Sequence, residues 1–309
     1  MSTLSVDDTA KEKYLRRAHE LKTNILQHFY NPITGVYQLD KSLPASGICQ
    51  DVKAHALTLD LLPDHTNDLE QLTDPGFGLP RAFRGLGHWD VANVVSPYAC
   101  GYAVEALFSR NRGTEAVDLI KRVWGPMADT SSPNYSGGHW EALKSSGTPH
   151  GHDTSLIHGW STWPVSLLPR YLAGLEPLEP GWKSFRIAPV LAGLTRIKCV
   201  LATVAGEIGV DIEIEQANGH GALKVLAPYG VRVRLQAPQG WVIQGLEFIE
   251  GTGLWQKFSM SSHPEDKDVD TIEGMQTFIT KTSYASTPKQ GRFSRKVRSL
   301  LSRFTTTAA

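Results

Sequence analysis

Glu207-Ile-Gly-Val-Asp-Ile-Glu-Ile-Glu215 sets Ile208, Val210, Ile212 and Ile214 at every second position. Successive side chains of a strand point to opposite faces, so this stretch reads as a strand with one apolar and one charged face. Leu223-Lys-Val-Leu-Ala227 and Val231-Arg-Val-Arg-Leu235 repeat the alternation, with Asn218-Gly219, Tyr229-Gly230 and Gln239-Gly240 as turns. The pattern predicts an antiparallel β unit, a sandwich, ending near Met260.

Upstream the period changes. Glu176-Pro-Leu-Glu-Pro-Gly181 reads as a linker, and before it Leu15, Ala18, Leu21, Ile25 and Phe29 follow helical spacing. Further helices are expected over Asp51–Leu62, which stops at Pro63, and over Pro97–Ser109, Thr114–Val123 and Ser155–Ala173. The segments Asn31–Gly35, Thr73–Gly87 and Asp129–Asp153 are rich in Gly, Pro, Ser and Asn, as long functional loops are. No strand pattern interrupts these helices. The chain thus divides into a helical part, 1–175, a β part, 176–260, and a charged tail, 261–309, expected to be disordered.

Composition bounds the function. A chain of 309 residues can form two domains of ordinary size, and 41% hydrophobic with 20% charged residues is the balance of a globular protein. No apolar run reaches the roughly 18 residues of a spanning helix. The first residues, MSTLSVDDTAKEKYLRRAHELK, carry acids and no apolar core, unlike a secretion signal. Cys49, Cys100 and Cys199 are too scattered for a disulfide framework or a zinc site, and buried thiols are expected. The formal charge is zero, yet the residues from Lys281 onward include seven Lys/Arg and no acid, which leaves the body acidic and unsuited to nucleic acid. In that tail Phe293, Val297, Leu300, Leu301 and Phe304 recur at helical spacing among Arg292, Arg295, Lys296, Arg298 and Arg303. Such a segment suits an anionic membrane surface or an acidic partner; a solvated tail is the plainer reading.

Three blocks carry a family resemblance. The first is Val95-Ser-Pro-Tyr-Ala-Cys-Gly-Tyr-Ala-Val-Glu-Ala-Leu107, followed by a helix closing on Val123-Trp-Gly-Pro-Met127. The second is Gly138-His-Trp-Glu-Ala142. The third is Ser155-Leu-Ile-His-Gly-Trp160, running into Arg170-Tyr-Leu-Ala-Gly-Leu175 and Glu179-Pro-Gly-Trp-Lys-Ser-Phe-Arg-Ile-Ala-Pro189. In order and spacing they resemble the late barrel of fungal-type α-L-rhamnosidases of glycoside hydrolase family 78, six-hairpin glycosidases, over about residues 20–255. The resemblance implies a partial (α/α)6 barrel of about six helices followed by a C-terminal antiparallel β-sandwich. It implies inverting hydrolysis of terminal α-L-rhamnosides, no metal and no cofactor. The family's general acid lies in a "D-x-x-x-R-x-E" motif that this sequence does not contain, so the acid is expected upstream. Members are often extracellular. A half barrel is also expected to self-associate through exposed helix faces.

Inverting glycosidases need a carboxylic acid for the leaving oxygen and a carboxylate for water on the other ring face, about 6.5–9.5 Å apart. By its match to the second block, Glu141 is the candidate base. It follows an aromatic ring in a Gly/Ser/Pro-rich loop near His139, His150, His152 and His158, whose imidazoles could hold a carboxylate or a sugar hydroxyl. The plain alternative is a glutamate starting a helix. The match makes His158, one turn inside the closing helix, a sugar-contacting residue; otherwise it is a satisfied core histidine. Trp140, Trp160, Trp163 and Trp89 are candidates for an apolar wall against the sugar's C–H face and methyl group. Trp163, followed by Pro164, reads as structural. Trp89 and Trp140, beside His88 and His139, read as pocket residues. Asp90 and Asp153 could bind hydroxyls or orient the base, though Asp153 could equally cap the following helix. The leading function is an O-glycosyl hydrolase acting on rhamnose-containing glycosides. Its alternatives are a non-catalytic remnant that binds carbohydrate or another chain, and another helical-barrel glycosidase for unsaturated glucuronyl or glucosyl substrates.

Overall fold

The computed structural model describes residues 8–33, 35–37, 50–61, 69, 72, 94–144, 146–248, 255–262 and 276–279. His88, Trp89, Asp90, Cys49 and the basic tail beyond 279 lie outside them.

The chain begins with α1 (Asp8–Phe29), which runs into a two-residue hairpin, β1 (Tyr30–Asn31) paired with β2 (Val36–Tyr37). No residue of α1 is buried. Only its last turns engage: Ile25 and Leu26 rest with Tyr30 and Val52 on a small cluster of Tyr37, Ala56 and Leu61. Ala56 belongs to α2 (Gln50–Thr58), which ends four residues before the expected Leu62.

α2 packs against α3 (Pro97–Ser109), whose limits match the expectation from sequence. Ser96 supplies the reason at one end. Its Oγ accepts the N–H of Ala99 at 3.4 Å, and Pro97 occupies the first turn, where no N–H is needed. Small residues of α3 permit close packing: a Cβ on Gly101 would stand 2.1 Å from the Trp163 ring. α4 (Gly113–Ala128) continues five residues beyond Val123 and buries Ala116, Val117, Leu119, Val123, Trp124 and Met127. A second short pair, β3 (Val94–Val95) with β4 (Leu143–Lys144), brackets α3 and α4. Both pairs interrupt the run of helices that the sequence suggested.

The expected helix over Ser155–Ala173 forms only in its second half. A 3-10 turn covers Gly159–Ser161, then α5 (Trp163–Leu167) and a π turn, Leu168–Leu172. The cause is local. Residues 155–158 give their backbone groups to the chain at 139–141, where Ser155 O accepts from Glu141 N at 2.8 Å and His158 N donates to His139 O at 2.8 Å. Groups so used cannot enter a helical ladder. Phe108 of α3 stacks on Tyr171 at 4.8 Å, and Arg170 pairs with Glu105 at 2.8 Å.

The β part contains a four-stranded sheet, ordered β13-β10-β6-β5, and a five-stranded sheet, ordered β11-β12-β9-β8-β7. The first comprises β5 (Leu175–Pro177), β6 (Ser184–Ile187), β10 (Arg232–Leu235) and β13 (Gln276–Ile279). The second comprises β7 (Arg196–Thr203), β8 (Gly206–Glu215), β9 (His220–Leu226), β11 (Val242–Phe248) and β12 (Trp255–Ser261). Three sequence expectations change. The 176–181 linker is partly strand, because Glu176 and Pro177 lie in β5 opposite Arg186 and Phe185. The β part is mixed rather than antiparallel, since β10 pairs parallel to β6 after the chain has passed through three strands of the other sheet. Within 261–309, Gln276–Ile279 forms a strand on β10, so Met260 does not end the β part.

The alternation that announced β8 is realised. Ile208, Val210, Ile212 and Ile214 are buried, and Gly219, Gly230 and Gly240 adopt the positive φ of the expected turns. Asp211 departs from it: on the outer face it is only 7% exposed, because Lys198 and Lys224 stand opposite it on the flanking strands. One hydrophobic core joins helices and sheets, running from Leu107, Leu119 and Trp140 through Leu172 and Leu175 to Phe185, Ile212 and Phe258.

Candidate functional site

The loop between α4 and α5 carries Glu141. Its carboxylate has one engaged oxygen: Oε2 accepts the N–H of Ser155 at 3.2 Å and lies 3.7 Å from His158 Nδ1. Among the described residues no hydrogen bond or ion pair reaches Oε1. The Glu141 side chain is 35% exposed and that of His158 28%, so both are reachable from solvent. Glu141 lies in a loop, which removes the helix-starting alternative. His158 likewise precedes the 3-10 turn in extended conformation, φ −126° and ψ 118°, instead of sitting within a helix.

From His158 a line of rings leads away from the carboxylate. The imidazole meets Trp160 at 4.2 Å, Trp160 meets Tyr98 at 5.6 Å, and Tyr98 meets Tyr102 edge-on at 5.4 Å. The two phenol oxygens are 2.9 Å apart, and that hydrogen bond is the main cause holding the Tyr102 hydroxyl above its ordinary pKa. Tyr102 also contacts Trp163 at 4.8 Å and His55 at 4.3 Å. Tyr98, Trp160, Trp163 and Val165 line a shallow groove of about 300 Å3. Trp160 is 51% exposed and Tyr98 42%, so aromatic faces are open to a ligand. A carboxylate, an imidazole, two phenols and exposed indole form a surface that can pack against a ring's C–H face and bond its hydroxyls.

Trp140 is a correction. Expected in the pocket wall, it is fully buried in the core; its backbone N–H meets Met127 Sδ at 3.2 Å, and its Nε1 has no partner among the described residues. It therefore anchors the Glu141 loop from beneath. His139 is partly buried, its carbonyl accepts from His158, and burial lowers the pKa of its imidazole. Trp163 packs on Gly101 and Tyr102, as a structural tryptophan should. His152 and Asp153 are exposed, with no helix starting at Ser155 for Asp153 to cap. Trp89 lies outside the described residues. Sequence reasoning missed Tyr98 and Tyr102, although their spacing of four on α3, within the first quoted block, puts them on one helix face.

Residues 174–242 match the family model of the bacterial alpha-L-rhamnosidase C-terminal domain. Solved structures extend the likeness to most of the chain. The α-L-rhamnosidase of Dictyoglumus thermophilum superposes with a TM-score of 0.57 and 19% identity over 81% of this chain and 28% of its own. The Streptomyces avermitilis α-L-rhamnosidase, solved with L-rhamnose, gives 0.57 and 14% over 82% of this chain and 24% of its own. That of Aspergillus terreus gives 0.55 and 15%, over 79% and 26%. The fold is that of the C-terminal part of an α-L-rhamnosidase. The chain spans about a quarter of the length of these rhamnosidases. A search of curated proteins found no match. The rhamnosidase likeness covers helices and sheets together, in keeping with their common core.

Proposed function

We propose that this chain supplies the general base and one wall of the sugar pocket of a family 78 α-L-rhamnosidase. In this reading residues 1–175 form the second half of an (α/α)6 barrel and the two sheets form its C-terminal β-sandwich. The reaction is inverting hydrolysis of a terminal α-L-rhamnoside. Glu141 Oε1 takes a proton from water, and the water oxygen attacks the anomeric carbon. The glycosidic bond breaks on the opposite ring face, and the leaving oxygen receives its proton from a carboxylic acid. That acid comes from sequence outside these residues. His158 and the Ser155 N–H hold Oε2 so that Oε1 faces the water. Trp160 and Tyr98 pack against the rhamnose methyl and C–H face, while His139 supports the position of His158.

The observation that carries this reading is the asymmetry of Glu141. One oxygen is tethered and the other has no hydrogen bond or ion pair among the described residues, at the head of an exposed aromatic line. A base must be positioned and yet keep a lone pair for its proton.

The test uses the purified 309-residue chain with 4-nitrophenyl α-L-rhamnoside and L-rhamnose. Binding of L-rhamnose is expected to perturb the Trp160 indole and the His158 imidazole in NMR spectra, with no turnover of the aryl glycoside. Turnover abolished by Glu141→Gln would show that the chain is catalytically complete and keep the base assignment. Turnover that survives Glu141→Gln, or L-rhamnose leaving Trp160 and His158 unperturbed, would sink that assignment.

A further inference from the structure

A second concavity opens at the other end of α4. Gly113 and Thr114 form one wall, the turn at 188–193 a second, and Gln236, Ala237 and Gln239 a third, around about 500 Å3. That volume lies in the range of small-ligand sites. It is remote from Glu141. α4 has Gly113 at the groove and Met127 beneath the Glu141 loop, and at 1.5 Å per residue these are about 20 Å apart.

The chemistry of this groove is that of a neutral, hydroxyl-rich ligand. Its polar side chains are Asn111, Thr114, Arg186, Gln236 and Gln239, with no carboxylate among them. Amides and hydroxyls both donate and accept, as sugar hydroxyls do. The charge of Arg186 is already matched by an ion pair with Glu176 across the β5–β6 pair, which disfavours selection of an anion. Arg186 Nε is nevertheless buried and without an acceptor among the described residues. A buried N–H is normally satisfied, and a ligand oxygen seated in the groove would do so. Val190, Leu191 and Ala192, partly exposed, offer an apolar side for a ring's C–H face. The walls are preformed: Val190 N donates to Tyr171 O at 3.0 Å, Leu194 N to Leu191 O at 2.8 Å, and Gln236 N to Ile187 O at 2.8 Å.

We propose that this groove is a second carbohydrate-binding subsite, for a neutral pyranoside, at the junction of α4 with the four-stranded sheet. It does not depend on the role given to Glu141.

The experiment is an amide-resolved NMR titration of the full chain with methyl α-L-rhamnopyranoside and methyl β-D-glucopyranoside, with sodium glucuronate as the charged control. At least one neutral glycoside is expected to shift the backbone amides of 188–193 and the side-chain amides of Gln236 and Gln239, saturating in the millimolar range. Arg186→Lys keeps a charge opposite Glu176 but removes the Nε–H, and Gln236→Ala trims an exposed side chain while keeping the backbone bond from Gln236 N to Ile187 O. Each is expected to weaken groove binding about tenfold, the scale of one lost hydrogen bond to a ligand. Glu141→Gln should leave groove binding unchanged. Absence of groove shifts with both neutral glycosides, or shifts with glucuronate alone, would overturn the proposal, as would Gln236→Ala binding like the parent.

Discussion

Glu141 and its neighbours show how few side chains set the character of the candidate site. Trp160 lies between His158 and Tyr98 with half its surface open. Trp160→Ala should therefore lower affinity for L-rhamnose about tenfold while leaving the melting temperature nearly unchanged, measured by titration and thermal unfolding. Trp140→Ala should do the reverse at the level of the fold, costing about 3–5 kcal/mol in denaturant unfolding because it empties a fully buried position. His139 gives a pH dependence with a definite sign. Burial lowers its pKa in the folded chain below the ordinary value of 6.5, so the unfolded chain takes up the proton first as pH falls. Stability from this group is complete above 6.5 and declines as pH drops toward the folded pKa. Melting curves between pH 7.5 and 5 should fall less steeply for His139→Asn than for the parent. Of the candidate site residues, the sequence pointed to Glu141 and His158 through a resemblance, to Trp160 as an aromatic wall, and to their environment through loop composition. It could not tell that Trp140 faces inward, since two adjacent aromatic positions in a loop carry no period from which to read a face.

At the scale of elements, legibility followed periodicity. β8, β9 and β10 announced themselves by strict alternation, and α3 adopts the limits expected for it. The closing helix did not follow its apolar pattern, because pairing of 155–158 with 139–141 satisfies the same backbone groups across the chain. Local propensity has no knowledge of that distant partner. The parallel contact of β6 with β10 was hidden for the same reason: alternation gives a strand its faces, not its neighbours. The approach of α3 to α5 supplies a sharp test. A methyl group at Gly101 would collide with the Trp163 ring, so Gly101→Ala should destabilise by about 1–3 kcal/mol, seen as a lowered urea midpoint, despite alanine's better helix propensity. α1 makes the opposite prediction. With no buried residue over 22 positions, its first turns should exchange their amide hydrogens far faster than those of α3.

For the molecule as a whole, the continuous core is the decisive feature. Leu172, Ala173 and Leu175 tie the helical residues Leu107 and Leu119 to Phe185 and Ile187 of the sheet. Residues 94–262 should therefore unfold in one calorimetric transition instead of two, with van't Hoff and calorimetric enthalpies in agreement. Tyr14, Leu15 and Leu21 of α1 are 67%, 61% and 46% exposed, and such a face should make the chain self-associate with rising concentration, measurable by light scattering. The strand that begins at Leu175 has a practical consequence for anyone recombining this architecture. Leu175 is paired with Ile187 and Glu176 with Arg186, so a crossover between 175 and 176, where the composition changes, would cut through a strand. A chimaera spliced there inherits half of β5 from each parent. One spliced ahead of Val94 would keep β3 with β4 and α3 with α4, α5 and both sheets, moving them as a single heritable block.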